Sequence, residues 1–341
     1  MGRQRFLSQA FSLPTERDAH PSSVADRPSG PERGVGSPLT LVTARGEGAR
    51  VFTARTGDGH LVEFSETFEA GQRVLSVATL LGCPARCAFC DAGGHYEGRL
   101  TASEILDQAD WLIERARAAE TASTGSNIEL HLTRMGEPSF NPDVLVALRA
   151  LLGRHALPDL GVVVSTIAPA QTERFLEALI GLASLYAPGR LRLRISLQTT
   201  DEVARSRLVP VRTQGLAEVA AYGERFAAAS GSKVTLVFLA AEGLPIDARA
   251  ISRRFSPAFF RVRLQALLPT VAGQHSGLSA LTAVGDAAAL EGLAGGFREA
   301  GYEVEAVPGS VAEVAAGAGC GQYVSGGREQ LRPRRTAGVT R

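Results

Sequence analysis

Three cysteines fall within eight residues, Cys83-Pro84-Ala85-Arg86-Cys87-Ala88-Phe89-Cys90, and the fourth, Cys320, stands alone near the end of the chain. A C-x3-C-x2-C loop can wrap three corners of a cubane iron–sulfur cluster, whereas tetrahedral zinc wants four ligands. The fourth iron is then left open to a small chelating ligand. A zinc knuckle completed by His95 or Cys320 is the alternative for the same residues. It requires a spacing that knuckles do not usually show, and His95 needs a second ligand pair nearby. For Cys320 alone, a small buried hydrophobe competes with a reactive thiol.

Such groups must be held by regular elements, and from Arg73 onward short apolar β-branched runs alternate with stretches of helical period. The pattern predicts strands at 74–81, 128–132, 161–165, 191–197, 234–239, 261–267 and 302–307, and helices near 102–119, 142–154, 171–186, 214–230, 246–255 and 284–300. Thr101-Ala102-Ser103-Glu104 forms a capping box at the first helix start. Six βα units in series require right-handed crossovers and a parallel sheet, so the fold class is α/β, either doubly wound or a TIM-type barrel, complete or partial. In both, the catalytic residues belong in loops after the strand C-termini. Ahead of the series, 50–54 and 60–64 flank Thr56-Gly57-Asp58-Gly59, a hairpin signal because Asp-Gly supplies positive φ.

Residues 1–44 hold Pro14, Pro21, Pro28, Pro31 and Pro38 without an apolar period and read as a disordered lead. Residues 45–72 then form a hairpin extension, 73–310 the βα series, and 311–341 a loop carrying Cys320 with a basic tail. That tail sets Arg328, Arg332, Arg334, Arg335 and Arg341 against Glu329. It could touch a phosphate backbone, or be a solvated end with no aromatic to stack on bases.

The 341 residues, 45% apolar and 21% charged, exclude a small disulfide scaffold. No uncharged apolar run approaches the ~18–20 residues of a membrane span, and Arg3, Arg5, Glu16, Arg17 and Asp18 interrupt any secretory leader. A cytoplasmic protein with reduced thiols and no membrane partner is the expectation. A net charge of +1 argues only weakly for nucleic acid.

The cysteine spacing, with Phe89 just before the third cysteine, resembles the signature of the radical S-adenosylmethionine superfamily. Arg134-Met135-Gly136-Glu137-Pro138-Ser139-Phe140-Asn141 is similar to the Gly-Glu-Pro stretch that in this superfamily receives the amino group of S-adenosylmethionine. A carboxylate can pair with that ammonium, and glycine lets the backbone approach closely. Ser165, Ser196, Leu197 and Gln198, at the ends of the third and fourth strands, are the further cofactor-binding candidates. Within the superfamily the stretch from about Arg50 to Gln322 resembles the RlmN/Cfr family of adenosine C2/C8 RNA methyltransferases. Gly319-Cys320-Gly321-Gln322, Val62-Glu63 and Leu208-Val209-Pro210-Val211 carry the likeness.

The resemblance implies a partial (βα)6 barrel, a [4Fe-4S] cluster on Cys83, Cys87 and Cys90, and two uses of S-adenosylmethionine. One methylates Cys320; the other is cleaved to a radical that activates the methylated sulfur for addition to an electron-poor ring carbon. Glu63 matches the family's proton acceptor. A reductant such as flavodoxin or ferredoxin and an RNA substrate, adenine in ribosomal or transfer RNA, are the implied partners. Three departures stand out. Ser76 occupies the place of a second cysteine that resolves the substrate adduct, Ala266 that of an asparagine near the sixth strand, and the RNA-engaging N-terminal domain has only the Pro-rich lead in its place. Those departures suit a second reading, the same chemistry on a small molecule or peptide in a biosynthetic pathway. A third is a degenerate cluster protein acting as a sensor.

Overall fold

The computed structural model describes residues 39–69, 71–119, 128–154 and 160–324. Twelve strands follow in chain order: β1 Thr40–Arg45, β2 Arg50–Arg55, β3 Leu61–Glu69, β4 Gln72–Val77, β5 Leu80–Gly82, β6 Tyr96–Arg99, β7 Ile128–Leu132, β8 Gly161–Thr166, β9 Leu191–Gln198, β10 Val234–Ala240, β11 Phe260–Ala266 and β12 Val304–Val307. The helices are α1 Ala102–Ala118, α2 Asp143–Arg154, α3 Glu173–Ala183, α4 Glu202–Leu208, α5 Leu216–Ser230, α6 Ala248–Ser252, α7 Val271–His275, α8 Ala288–Glu299 and α9 Val311–Ala315. No described helix is long and apolar enough to cross a membrane.

Ten strands form one sheet in the order β1-β2-β3-β4-β7-β8-β9-β10-β11-β12. The first four pair antiparallel, and from β4 onward every pairing is parallel. The α/β class and the mostly parallel sheet are as expected, with one more parallel strand than the six units require. The sheet is open, with β1 and β12 at its ends, and it curls: Arg263 on β11 bonds Glu69 on β3 at 2.8 Å, across strands six places apart. The outward strand faces pack on the helices through Leu193, Ile195, Leu197, Leu236, Phe238 and Leu264, all fully buried.

Two expectations need correction. Residues 40–45, assigned largely to the disordered lead, form β1 and pair with β2; the earlier part of the lead and the basic tail from 325 lie outside the described residues. The strand expected at 74–81 breaks after Val77, because the amides of Thr79 and Leu80 turn to the carbonyl of Met135 (2.9 and 3.2 Å). That detour ties the approach to the cysteine loop to the Gly-Glu-Pro turn. The capping box at Thr101 forms as predicted, with Glu104 closing it. Helices α4, α7 and α9 were not legible in advance, since each is a turn or two started by a side-chain cap, Asp201, Thr270 and Ser310 respectively.

Candidate active site

The cysteine loop follows β5 and is fixed from several sides. The Cys83 amide donates to His95 (3.0 Å), the Ala88 amide to Leu208 (2.8 Å), and the Thr270 hydroxyl to the Phe89 carbonyl (3.0 Å). Asp91, just after the third cysteine, accepts from the first amides of α7, Val271 and Ala272. Cys83, Cys87 and Cys90 line one wall of a cavity of about 350 Å³ at the C-terminal ends of the strands. Among the described residues, no three His, Cys, Asp or Glu side chains gather at one point as a single metal ion demands. A cubane spreads its corners and makes no such demand. Burial pushes the Cys83 thiol up to about 12, so without a metal to hold it as thiolate it stays protonated.

The Gly-Glu-Pro turn forms the next wall. Gly136 has φ +103, and a Cβ there would lie 2.5 Å from the Leu80 Cβ and 2.8 Å from its amide nitrogen, so only glycine lets the turn pass behind the cysteine loop. Glu137 is buried, accepting from the Ser139 amide (3.1 Å) and hydroxyl (2.6 Å), the Thr166 hydroxyl and the Ile167 amide (2.9 Å). Burial pushes its carboxyl up, with those hydrogen bonds opposing. A carboxylate in that state gains from an arriving ammonium group. Ser165, Ser196 and Gln198 line the same cavity. Leu197 does not: it is fully buried on the opposite face of β9, among the residues that pack on helices.

Cys320 reaches this cavity from the far end of the chain. Its carbonyl accepts from the Ala92 amide at 3.1 Å, its sulfur lies 3.5 Å from the Thr133 carbonyl, and the Cys90 sulfur lies 3.8 Å from the Cys320 carbonyl. The hydrogen bond between the Cys90 and Cys320 thiols, helped by the guanidinium of Arg134, pulls Cys320 down. Gly321 is at φ +81, where a Cβ would meet the Ala92 nitrogen at 2.2 Å. Gln322 spans the loop, accepting from Gly319 (3.1 Å) and donating to the Pro269 carbonyl (2.8 Å). Cys-Gly-Gln is thus a folded unit rather than a string of exposed residues.

Glu63 lies outside the cavity lining, behind the Cys320 loop. Its carboxylate is fully buried and accepts from the amides of Gly321, Tyr323 (3.1 Å) and Val324 (3.3 Å). Arg134 pairs with it at 3.1 Å and donates to the carbonyls of Gly317 and Ala318. Sequence reasoning passed over Arg134, and over the charged residues facing the interior: Glu69, His131, Arg194, Arg263 and Glu313. The signal was there in Arg192-Leu193-Arg194-Ile195-Ser196, because a strand buried on both faces reads as a continuous apolar run, and this one alternates. Ser76 and Ala266 also line the cavity.

Residues 77–241 match the radical SAM superfamily. The chain carries a radical SAM domain. Curated relatives include a probable dual-specificity RNA methyltransferase RlmN of Chlorobaculum tepidum, 30% identical over 253 residues, which cover 71% of this chain and 62% of that protein. Another of the same name from Deinococcus deserti is 30% identical over 60% of this chain and 57% of its own length. The chain therefore spans about six-tenths of the length of these relatives. A crystal structure of a radical SAM methyltransferase from Sphaerobacter thermophilus superposes with a TM-score of 0.67 at 23% identity, over 84% of this chain and 81% of that one; it shares the radical SAM fold.

Proposed function

We propose that the protein is a radical SAM methyltransferase that passes a one-carbon unit through Cys320 to an aromatic ring carbon, adenine in RNA being the first substrate to test. One observation carries the reading: Cys320 and Cys90, 230 residues apart, meet in the cavity that Glu137 also lines. When bound on Cys83, Cys87 and Cys90, a [4Fe-4S] cluster fed by a reductant such as flavodoxin or ferredoxin supplies the electron that cleaves S-adenosylmethionine. The chain's own work is positional. Glu137 holds the amino group of S-adenosylmethionine, Ser165, Ser196 and Gln198 offer hydrogen bonds to its ribose or carboxylate, and the 317–324 loop presents the Cys320 sulfur. In this arrangement Glu63 acts as the anchor of that loop, its oxygens already committed to backbone amides.

RNA as substrate is supported by the relatives named for it. The same chemistry on a small molecule is supported by Ser76, which cannot form a resolving disulfide, and by the charged interior. The test is anaerobic reconstitution of the chain and of Cys320→Ala. Mass spectrometry then reads methylation of the Cys320 peptide, and methyladenosine is measured in RNA from cells with and without the protein. Methyl transfer surviving in Cys320→Ala refutes the relay. Unchanged methyladenosine refutes the RNA substrate and moves the weight to a small molecule.

A further inference from the structure

Below the strand ends, the cavity carries polar groups that this methyl transfer does not use. Arg194 faces it from β9, two residues beneath Ser196 and four beneath Gln198, so about 13 Å below the strand end at ~3.3 Å per residue. Ser65 and Thr67 of β3, Ser76 of β4 and His131 of β7, two to four strand places away from β9, line the same cavity. Register sets Ser65 opposite Ser76, Ser76 opposite His131, and Ser165 opposite Arg194.

The interior acids are already engaged. Glu129 holds His131 (2.8 Å) and Arg192, while Glu69 and Glu305 each hold Arg263 at 2.8 Å. The Arg194 guanidinium has no hydrogen-bond acceptor among the described residues, and its ion-pair contact is Glu129 at 4.0 Å, outside hydrogen-bond reach. Only 13% of its side chain is exposed. The hydroxyls of Ser65, Thr67 and Ser76 line the cavity, likewise without a partner among the described residues. His131 adds no competing charge, since burial and the neighbouring Arg194 push it down to about 4. Burial and Arg263 likewise push Arg194 down, to about 10. Glu69, Glu305 and Glu129 act on it through space, but a largely desolvated guanidinium without a hydrogen-bond acceptor remains unfavourable for the fold. Groups held in that condition in a cavity are characteristic of ligand sites.

We propose that Arg194, with the hydroxyls of Ser65 and Ser76, forms an anion subsite inside the curl of the sheet. It takes the carboxylate or phosphate of a small molecule whose reacting part extends up to Cys320. The proposal rests on the methyl-transfer reading of this cavity and, of its two substrates, takes the small molecule. A guanidinium fork matches either anion and serine hydroxyls complete the shell. The phosphates of an RNA chain, flanking any base that entered, would remain outside.

The test is titration calorimetry on the reconstituted chain with inorganic phosphate and acetate, at an ionic strength held constant with chloride. Saturable binding of one anion per chain is expected, weakened about tenfold or more in Arg194→Gln. In Arg194→Lys, which keeps the charge without the fork, binding is retained within about threefold to tenfold. The melting temperature of Arg194→Gln is expected to equal or exceed that of the parent, because a buried cation without a hydrogen-bond acceptor is removed; an arginine held structurally by its 4.0 Å contact with Glu129 would lower it. Titrations with S-adenosylmethionine and 5′-deoxyadenosine identify the source of the anion. Unchanged affinities assign the subsite to a separate substrate. A loss for S-adenosylmethionine alone assigns it to that molecule's own carboxylate and overturns the substrate class. Absence of saturable anion binding in the parent, with S-adenosylmethionine affinity unchanged in Arg194→Gln, overturns the subsite. Binding is read without turnover, so a failure of methyl transfer through Cys320 is a separate result.

Discussion

Replacing Glu63 by Gln should release the Cys320 loop while leaving the rest of the sheet folded. The parent carboxylate is fully buried, accepts three amides of the 321–324 segment, and neutralises Arg134, whose side chain is 3% exposed. The amide variant keeps one acceptor, turns an NH2 toward N–H donors and leaves the guanidinium unpaired. Removing one partner of a buried pair typically amounts to ~3–5 kcal/mol. Because the contacts lie in one segment near the end of the described chain, most of that should appear as local opening. A loss of about 4 kcal/mol corresponds to roughly a thousandfold in the opening equilibrium, at 1.36 kcal/mol per decade. Hydrogen exchange at Gly321, Tyr323 and Val324 should rise by that order, and alkylation of Cys320 should accelerate with it, whereas exchange in β7 to β10 should stay protected. Exchange and alkylation within about twofold of the parent would refute the anchor, since the opening free energy would then be unchanged. A Glu63→Gln protein that still methylates Cys320 normally but accumulates substrate covalently bound to it would instead restore the proton-acceptor role.

Acidification should destabilise the interior in two stages. His131 is pushed from 6.5 to about 4 by burial and Arg194. The unfolded imidazole thus takes up a proton that the folded one refuses, and stability falls as the pH drops through that window. Between about pH 7 and about pH 5 the loss is about 2 kcal/mol by urea unfolding, and His131→Gln should remove it. Glu129, which burial alone would raise, is pulled from 4.5 to about 2 by His131 and Arg192, so a further loss follows between those values. Gly136→Ala should weaken S-adenosylmethionine binding about tenfold or more, because the forced shift against Leu80 displaces Glu137. Equilibrium dialysis with the radiolabelled cofactor reads it, and unchanged affinity would count against Glu137 as the amino-group site. Ser76→Cys should raise multiple turnover on RNA if product release lacks only the second thiol; no change points to another release route.

Much of the site was legible because it is written in short-range chemistry. Cys83, Cys87 and Cys90 share one loop by their spacing alone, and Gly136 announced a close backbone approach, although the neighbour it makes room for in the fold is Leu80. The βα alternation was legible for a related reason, since the period of apolar residues reports which face of each element is buried. Leu197 was assigned with its neighbours by motif alone, although strand alternation turns its side chain to the helices. Glu63 shows the opposite limit. Its residue type suited a proton acceptor, but whether its oxygens face substrate or the backbone of residues some 260 positions away is set by how the loop closes over the sheet.

Arg194 is the plainest case of what only the tertiary structure decided. Local order determines that it alternates with leucine and isoleucine and so faces the interior. Whether that interior offers it a carboxylate depends on Glu129, Glu69 and Glu305, which come from β7, β3 and β12. The curl carries Glu69 to Arg263, register sets Glu305 opposite that same arginine, and Glu129 bonds His131 and Arg192 while standing 4.0 Å from Arg194, so the pairing of charges is a property of the fold and not of any one strand.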